Sequence, residues 1–111
     1  MNIYSVELKN AKDVKLFQES NPKVPKIIYF TDKEKKDKFP PLFRAITANF
    51  RHTIAFAHVF STSPVANQFN ITKFPQFILN GNEKIEIKSN LTEMIERLNM
   101  IKGDPTTINI K

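Results

Sequence analysis

The sequence predicts an α/β domain, a central mixed sheet with helices on both faces, in the order β-α-β-α-β-α-β-β-α. Three observations carry that prediction. Ile27-Ile28-Tyr29-Phe30 is a run of four apolar, β-prone residues, as found in a strand covered on both faces. Asn80-Gly81 stands between two apolar runs and reads as a hairpin turn, since both residues tolerate the positive φ that such a turn needs. Elsewhere, stretches with helical spacing of apolar residues alternate with short β-prone runs. That alternation implies parallel strands joined by right-handed crossovers, closed by one antiparallel hairpin.

Each element has its own signals. Residues 3–8 form a short first strand. Asn10 caps a helix with Asp13 in its first turn; Val14 and Phe17 share the inner face, and Asn21-Pro22 stops it. The buried strand follows at Lys26-Ile27-Ile28-Tyr29-Phe30. Residues 33–38 set four Lys against Glu34 and Asp37, a net +2, and read as a solvated loop. Pro40-Pro41 opens the second helix, where a missing N–H costs nothing, and Leu42, Phe43, Ile46 and Phe50 fall on one face. Residues 53–60 give a second buried strand. Ser63-Pro64 caps and starts a short helix through Val65 and Phe69. Phe77-Ile78-Leu79 leads into the hairpin, and the return strand alternates Ile85 and Ile87 with Lys84, Glu86 and Lys88. Asn90 caps the last helix with Glu93 three residues on, and Leu91, Met94, Ile95, Leu98 and Ile101 form its apolar stripe. Gly103 and Pro105 end it. Residues 1–111 are expected to be one domain, its core about 3–102 and 103–111 a loose tail, excised from a longer protein with Met1 added.

Composition removes several kinds of chemistry. The chain has no Cys, which excludes disulfides, thiolate metal ligands, thiol nucleophiles and dithiol redox work together. Two Gly cannot write a Gly-rich phosphate loop. His52 and His58 have no metal-ligand spacing, and no Ser, His or Asp sits in a nucleophile-elbow setting. The reading is therefore a non-enzyme with no cofactor and no metal. No apolar run approaches the ~18 residues of a membrane span, and the start lacks a signal-peptide pattern. Asn70-Ile71-Thr72 and Asn90-Leu91-Thr92 fit the glycosylation sequon at about chance frequency and do not establish secretion. A net charge of +6 permits acidic protein, membrane or nucleic-acid partners without choosing among them. Spread lysines (positions 9, 12, 15, 23, 26, 73, 84 and 88) speak for solubility rather than a nucleic-acid groove.

The element order, the strand Lys26-Ile27-Ile28-Tyr29-Phe30, the segment Phe69-Asn70-Ile71-Thr72-Lys73-Phe74-Pro75 and the Asn80-Gly81 hairpin together resemble the thioredoxin fold over about residues 3–102. Residues 40–50, Pro-Pro-Leu-Phe-Arg-Ala-Ile-Thr-Ala-Asn-Phe, look most like the thioredoxin-like domains of large ER J-domain proteins and disulfide-isomerase relatives. The resemblance implies that Pro75 is cis and faces the active-site loop. It places the two family cysteines at Lys35 and Lys38, and the buried family acid at Tyr29. Lysine can neither attack a disulfide nor resolve a mixed one, so the reading is a redox-inactive domain. What the resemblance leaves functional is a surface for protein or extended peptide segments with acidic flanks, made by Phe39, Pro40, Phe74, Pro75 and Gln76. It also implies the endoplasmic reticulum lumen. The alternatives are a basic nucleic-acid-binding domain, an enzyme using the fold without thiols, and an architectural spacer.

Overall fold

The computed structural model describes residues 3–32 and 39–103. The lysine-rich loop 33–38, with Lys35 and Lys38, and the tail from 104 onward lie outside the described residues. No described helix is long and apolar enough to cross a membrane.

β2 (Lys26–Thr31) is buried at every position, and the other elements are arranged around it. It pairs in parallel with β3 (Ala55–Phe60) and antiparallel with β4 (Gln76–Leu79). β1 (Val6–Glu7) adds outside β3 in parallel, and β5 (Glu83–Ile85) outside β4 antiparallel, giving the order β1-β3-β2-β4-β5. Side chains alternate across the sheet, so each strand feeds two cores. On one face Ile27, Tyr29, Phe56, Phe77 and Leu79 meet Phe43 and Ile46 of α2 (Pro41–Asn49) and Met94 and Leu98 of α4 (Leu91–Asn99). On the other, Ile28, Phe30, Ala57, Val59 and Ile78 meet Val14 and Phe17 of α1 (Ala11–Glu19) and Val65 and Ala66 of α3 (Pro64–Gln68). The mixed sheet with helices on both faces is as the periodicity requires.

The helix starts are made by the residues the sequence marks. Asn10 Oδ1 accepts from the Asp13 N–H at 2.9 Å, and Ser63 Oγ from the Val65 N–H at 3.1 Å. Asn90 Oδ1 accepts from both Thr92 and Glu93, at 2.8 and 3.2 Å. Each such cap is worth about 1 kcal/mol. The hairpin turns through Asn80 (φ 51°) and Gly81 (φ 85°), both in the left-handed region. Asn80 also ties the turn to β2: its N–H donates to the Lys26 carbonyl at 2.7 Å, and its Oδ1 accepts the Lys26 N–H at 3.0 Å.

Four details depart from the sequence reading. The first strand is only Val6–Glu7, because the Lys9 N–H turns to Asp13 Oδ2 at 2.8 Å to begin α1. The return strand ends at Ile85, since the Lys88 N–H turns to Met94 Sδ at 3.4 Å where the chain swings into α4. Leu91, placed in the apolar stripe of α4, is exposed; Met94 and Leu98 carry the burial. Lys26, named among the spread lysines that speak for solubility and also at the head of the buried strand, is 6% exposed. Its ammonium donates to the Asn21 and Val24 carbonyls at 2.8 and 2.9 Å. Burial lowers its pKa from the ordinary value. It acts as an internal cation that closes the turn between α1 and β2.

Replacing this group should therefore be costly although its neighbours are lysines in water. Lys26→Met keeps the stem and strands two carbonyls, and is expected to lower the unfolding free energy by about 1–3 kcal/mol. Urea denaturation measures it; Lys23→Met, at an exposed position, is the control and should change little.

Candidate functional site

The segment before β4 is where the resemblance locates recognition. α3 ends in a turn at Asn70, whose φ of 58° sends the chain back, and Ile71 anchors the segment in the core beneath. The Phe74-Pro75 peptide bond is cis, as the resemblance implies. Residues 72–74 belong to no strand, and no hydrogen bond with another described residue engages their main chain. Gln76 then enters β4 opposite Phe30.

The predicted site residues do not gather into one apolar patch. Phe74 is half-buried against the core that contains Phe30 and Ile71, on one face of the sheet. Phe39 is half-buried against the other core. Its ring lies 5.6 Å from Phe43, 4.8 Å from His58 and 6.2 Å from Phe60, and its carbonyl accepts from Arg44 Nε at 3.1 Å. Pro40, just ahead of it, is the N-cap residue of α2. Phe39 thus fastens the start of α2 to the sheet. Pro75 and Gln76 instead form a groove of about 630 Å3 with Lys84, Ile85, Glu86 and Ile87. The groove presents Pro75 and half-buried Ile87 as apolar surface, with Lys84 and Glu86 as its charged members; Ile85, also in its lining, is buried in the core. Sequence reasoning did not include the β5 residues. Their signal was the Ile85/Ile87 alternation, which marks an inward face without saying that its far end stays open.

Two buried ionisable groups lie under the start of α2. Tyr29, where the family acid is implied, stacks on Phe43 at 4.2 Å and tilts against Phe77 at 5.1 Å. Burial raises its pKa, a bond to Thr31 opposes this, and Asp32 adds to the rise. His58 is its cross-strand partner on β3, 7% exposed. Its Nδ1 lies 2.7 Å from Ser5 Oγ, and Phe39 and Phe60 wall the ring. Burial lowers the His58 pKa, against a smaller opposing pull from Glu7. The Ser5–His58 contact, with two aromatic rings against the imidazole, fastens the segment before β1 to β3. Among the described residues no group of three His, Asp or Glu could hold a metal ion.

The chain matches no family model and no curated protein. Solved structures of the same shape do exist. A thioredoxin from Nicotiana alata aligns over 92% of this chain and 96% of its own, with TM-score 0.66 and 15% identity. Thioredoxin O2 from Arabidopsis thaliana covers 91% and 96% at TM-score 0.61 and 12% identity. A thioredoxin from Trypanosoma brucei brucei covers 90% and 93% at TM-score 0.62 and 16% identity. The fold is thioredoxin-like, and the sequence carries none of the cysteines that fold presents in redox enzymes.

His58 gives this site a pH signature. Because folding depresses its pKa, the unfolded chain binds the proton more readily. The stability that neutral His58 confers is full above the ordinary value of 6.5 and is lost as pH falls below it. His58→Gln should differ from the parent by a constant amount above pH 7 and by less as the solution is acidified. Chemical denaturation from pH 8 to pH 5 tests this; a gap that widens on acidification contradicts it.

Proposed function

We propose that this thioredoxin-like domain holds extended protein segments and exchanges no disulfides. The observation that carries the reading is the main chain of residues 72–74, hydrogen-bonded to no other described residue, beside the groove at Pro75 and Ile87, in a fold whose 111 residues contain no thiol. An extended segment lies along residues 72–74 as an added strand, its main chain supplying the missing partners. One of its apolar side chains enters the groove. Acidic residues on either side meet Lys73 and Lys84, both exposed. Phe39 and Pro40 support the start of α2 from beneath rather than contact the guest. The domain is not an enzyme. The resemblance of residues 40–50 supports placing it in a larger folding or quality-control protein of the disulfide-isomerase or ER J-domain type, in the endoplasmic reticulum lumen.

Titrating the 15N-labelled domain with acetyl-Asp-Leu-Val-Leu-Asp-amide should shift amides at Phe74, Gln76, Ile85 and Ile87. Reversing Lys73 and Lys84 together to Glu should weaken binding by about tenfold, two exposed charge contacts becoming repulsions. Shifts clustered away from Phe74 and Gln76 would remove the proposal. In an insulin-reduction assay the domain should show no turnover above the protein-free blank.

A further inference from the structure

The opposite edge of the sheet carries a second surface. β1 is the outermost strand on that side, and its two side-chain faces differ. Leu8 donates its N–H inward to the His58 carbonyl at 3.0 Å, so by alternation the N–H and C=O of Glu7 point outward. Val6 and Leu8 project to the α1 side. There they meet Leu16 and Phe17, and with Glu7, Asp13 and Ser20 these residues line a groove of about 350 Å3. Val6 and Leu16 are 54% and 59% exposed, large values for apolar side chains next to one another on a surface. The charge at this place opposes that of the chain. The protein has a net charge of +6, yet both ionisable residues lining the groove are acids. Exposed Lys9, Lys12 and Lys15 are close in sequence, and none of them lines it.

We infer that β1 and α1 form a docking edge for an extended segment of a partner protein with the pattern apolar–basic–apolar. The geometry sets that pattern. A strand added outside β1 places the residue opposite Glu7 on the same face as Glu7, where a lysine or arginine meets the carboxylate. The residues before and after it face the other way, over Val6 and Leu8, and enter the groove against Leu16 and Phe17. A second copy of the chain fits poorly. Symmetric pairing centred on Glu7 sets two carboxylates opposite each other, and cross-strand like charges are destabilising. This edge is separate from the groove at Pro75, which is built on β4 and β5 at the other side of the sheet, so either surface can be tested without the other.

The probe is acetyl-Thr-Val-Lys-Val-Thr-amide, titrated into the 15N-labelled full chain, with the same peptide carrying Glu in place of Lys for comparison. The lysine peptide should shift Val6, Glu7, Leu8 and Leu16 and bind about fivefold more tightly than the glutamate peptide. Glu7→Lys should invert that preference. Leu16→Lys, at an exposed position that leaves the core intact, should abolish binding while leaving any response at Phe74 and Gln76 unchanged. The inference is overturned if neither peptide shifts β1, or if Glu7→Lys leaves the preference as it was. It is equally overturned if these same amides move with protein concentration alone, which would assign the edge to a second copy.

Discussion

Complete enclosure of β2 is the constraint from which the architecture follows. A strand with apolar side chains on both faces and hydrogen-bonded neighbours on both edges cannot sit at a surface. It needs a layer above, a layer below and a strand on either side, and the chain supplies each in turn. Ile27 and Tyr29 demand α2 and α4; Ile28 and Phe30 demand α1 and α3. The parallel partner β3 can be reached only by a crossover, and the antiparallel partner β4 leaves room for the Asn80-Gly81 return. Even the polar residue at the head of β2 is drawn in, for Lys26 spends its charge on the turn that delivers the strand.

The same enclosure decides where the molecule has surface to offer. Both edges of β2 are used, so among the described residues main chain without a bonded neighbour lies toward the margins, as along residues 72–74 ahead of β4 and outside β1. Each of these places adjoins a partly apolar groove, and each has charged residues of its own. Lys84 and Glu86 line one, while Glu7 and Asp13 line the other. A basic chain thus carries a locally acidic margin, which the net charge alone does not reveal.

Most of the framework was readable from the residues because its signals are local. Asn10, Ser63 and Asn90 cap what they were expected to cap, and Asn80-Gly81 turns where it should, since capping and positive φ depend on a few neighbouring atoms. The errors arose where the answer depends on distant residues. The first and last strands are shorter than their apolar alternation, because Asp13 and Met94 recruit the next main-chain donors. Lys26 looks like any surface lysine until two carbonyls from the preceding turn surround it. The candidate site was half legible. Pro75 and Gln76 follow from the resemblance, but Ile87 joins them only through the hairpin. Phe39 looked like a platform beside Phe74, and the sheet separates the two rings onto opposite faces.

Tyr29 bears on whether electron-transfer chemistry could be built into this domain. A redox thioredoxin needs sulfur in its loop and, by the family pattern, a proton-relaying acid beneath it. The position that the resemblance implies for that acid, Tyr29, holds a phenol packed against Phe43 and Phe77, in a cluster that also builds the main core. An aspartate introduced there would be an unpaired charge among aromatic rings, with a cavity where the ring had been. Cysteines introduced at residues 33–38 would therefore come with an interior committed to structure at Tyr29, and building an oxidoreductase on this chain would cost stability before any catalysis appears.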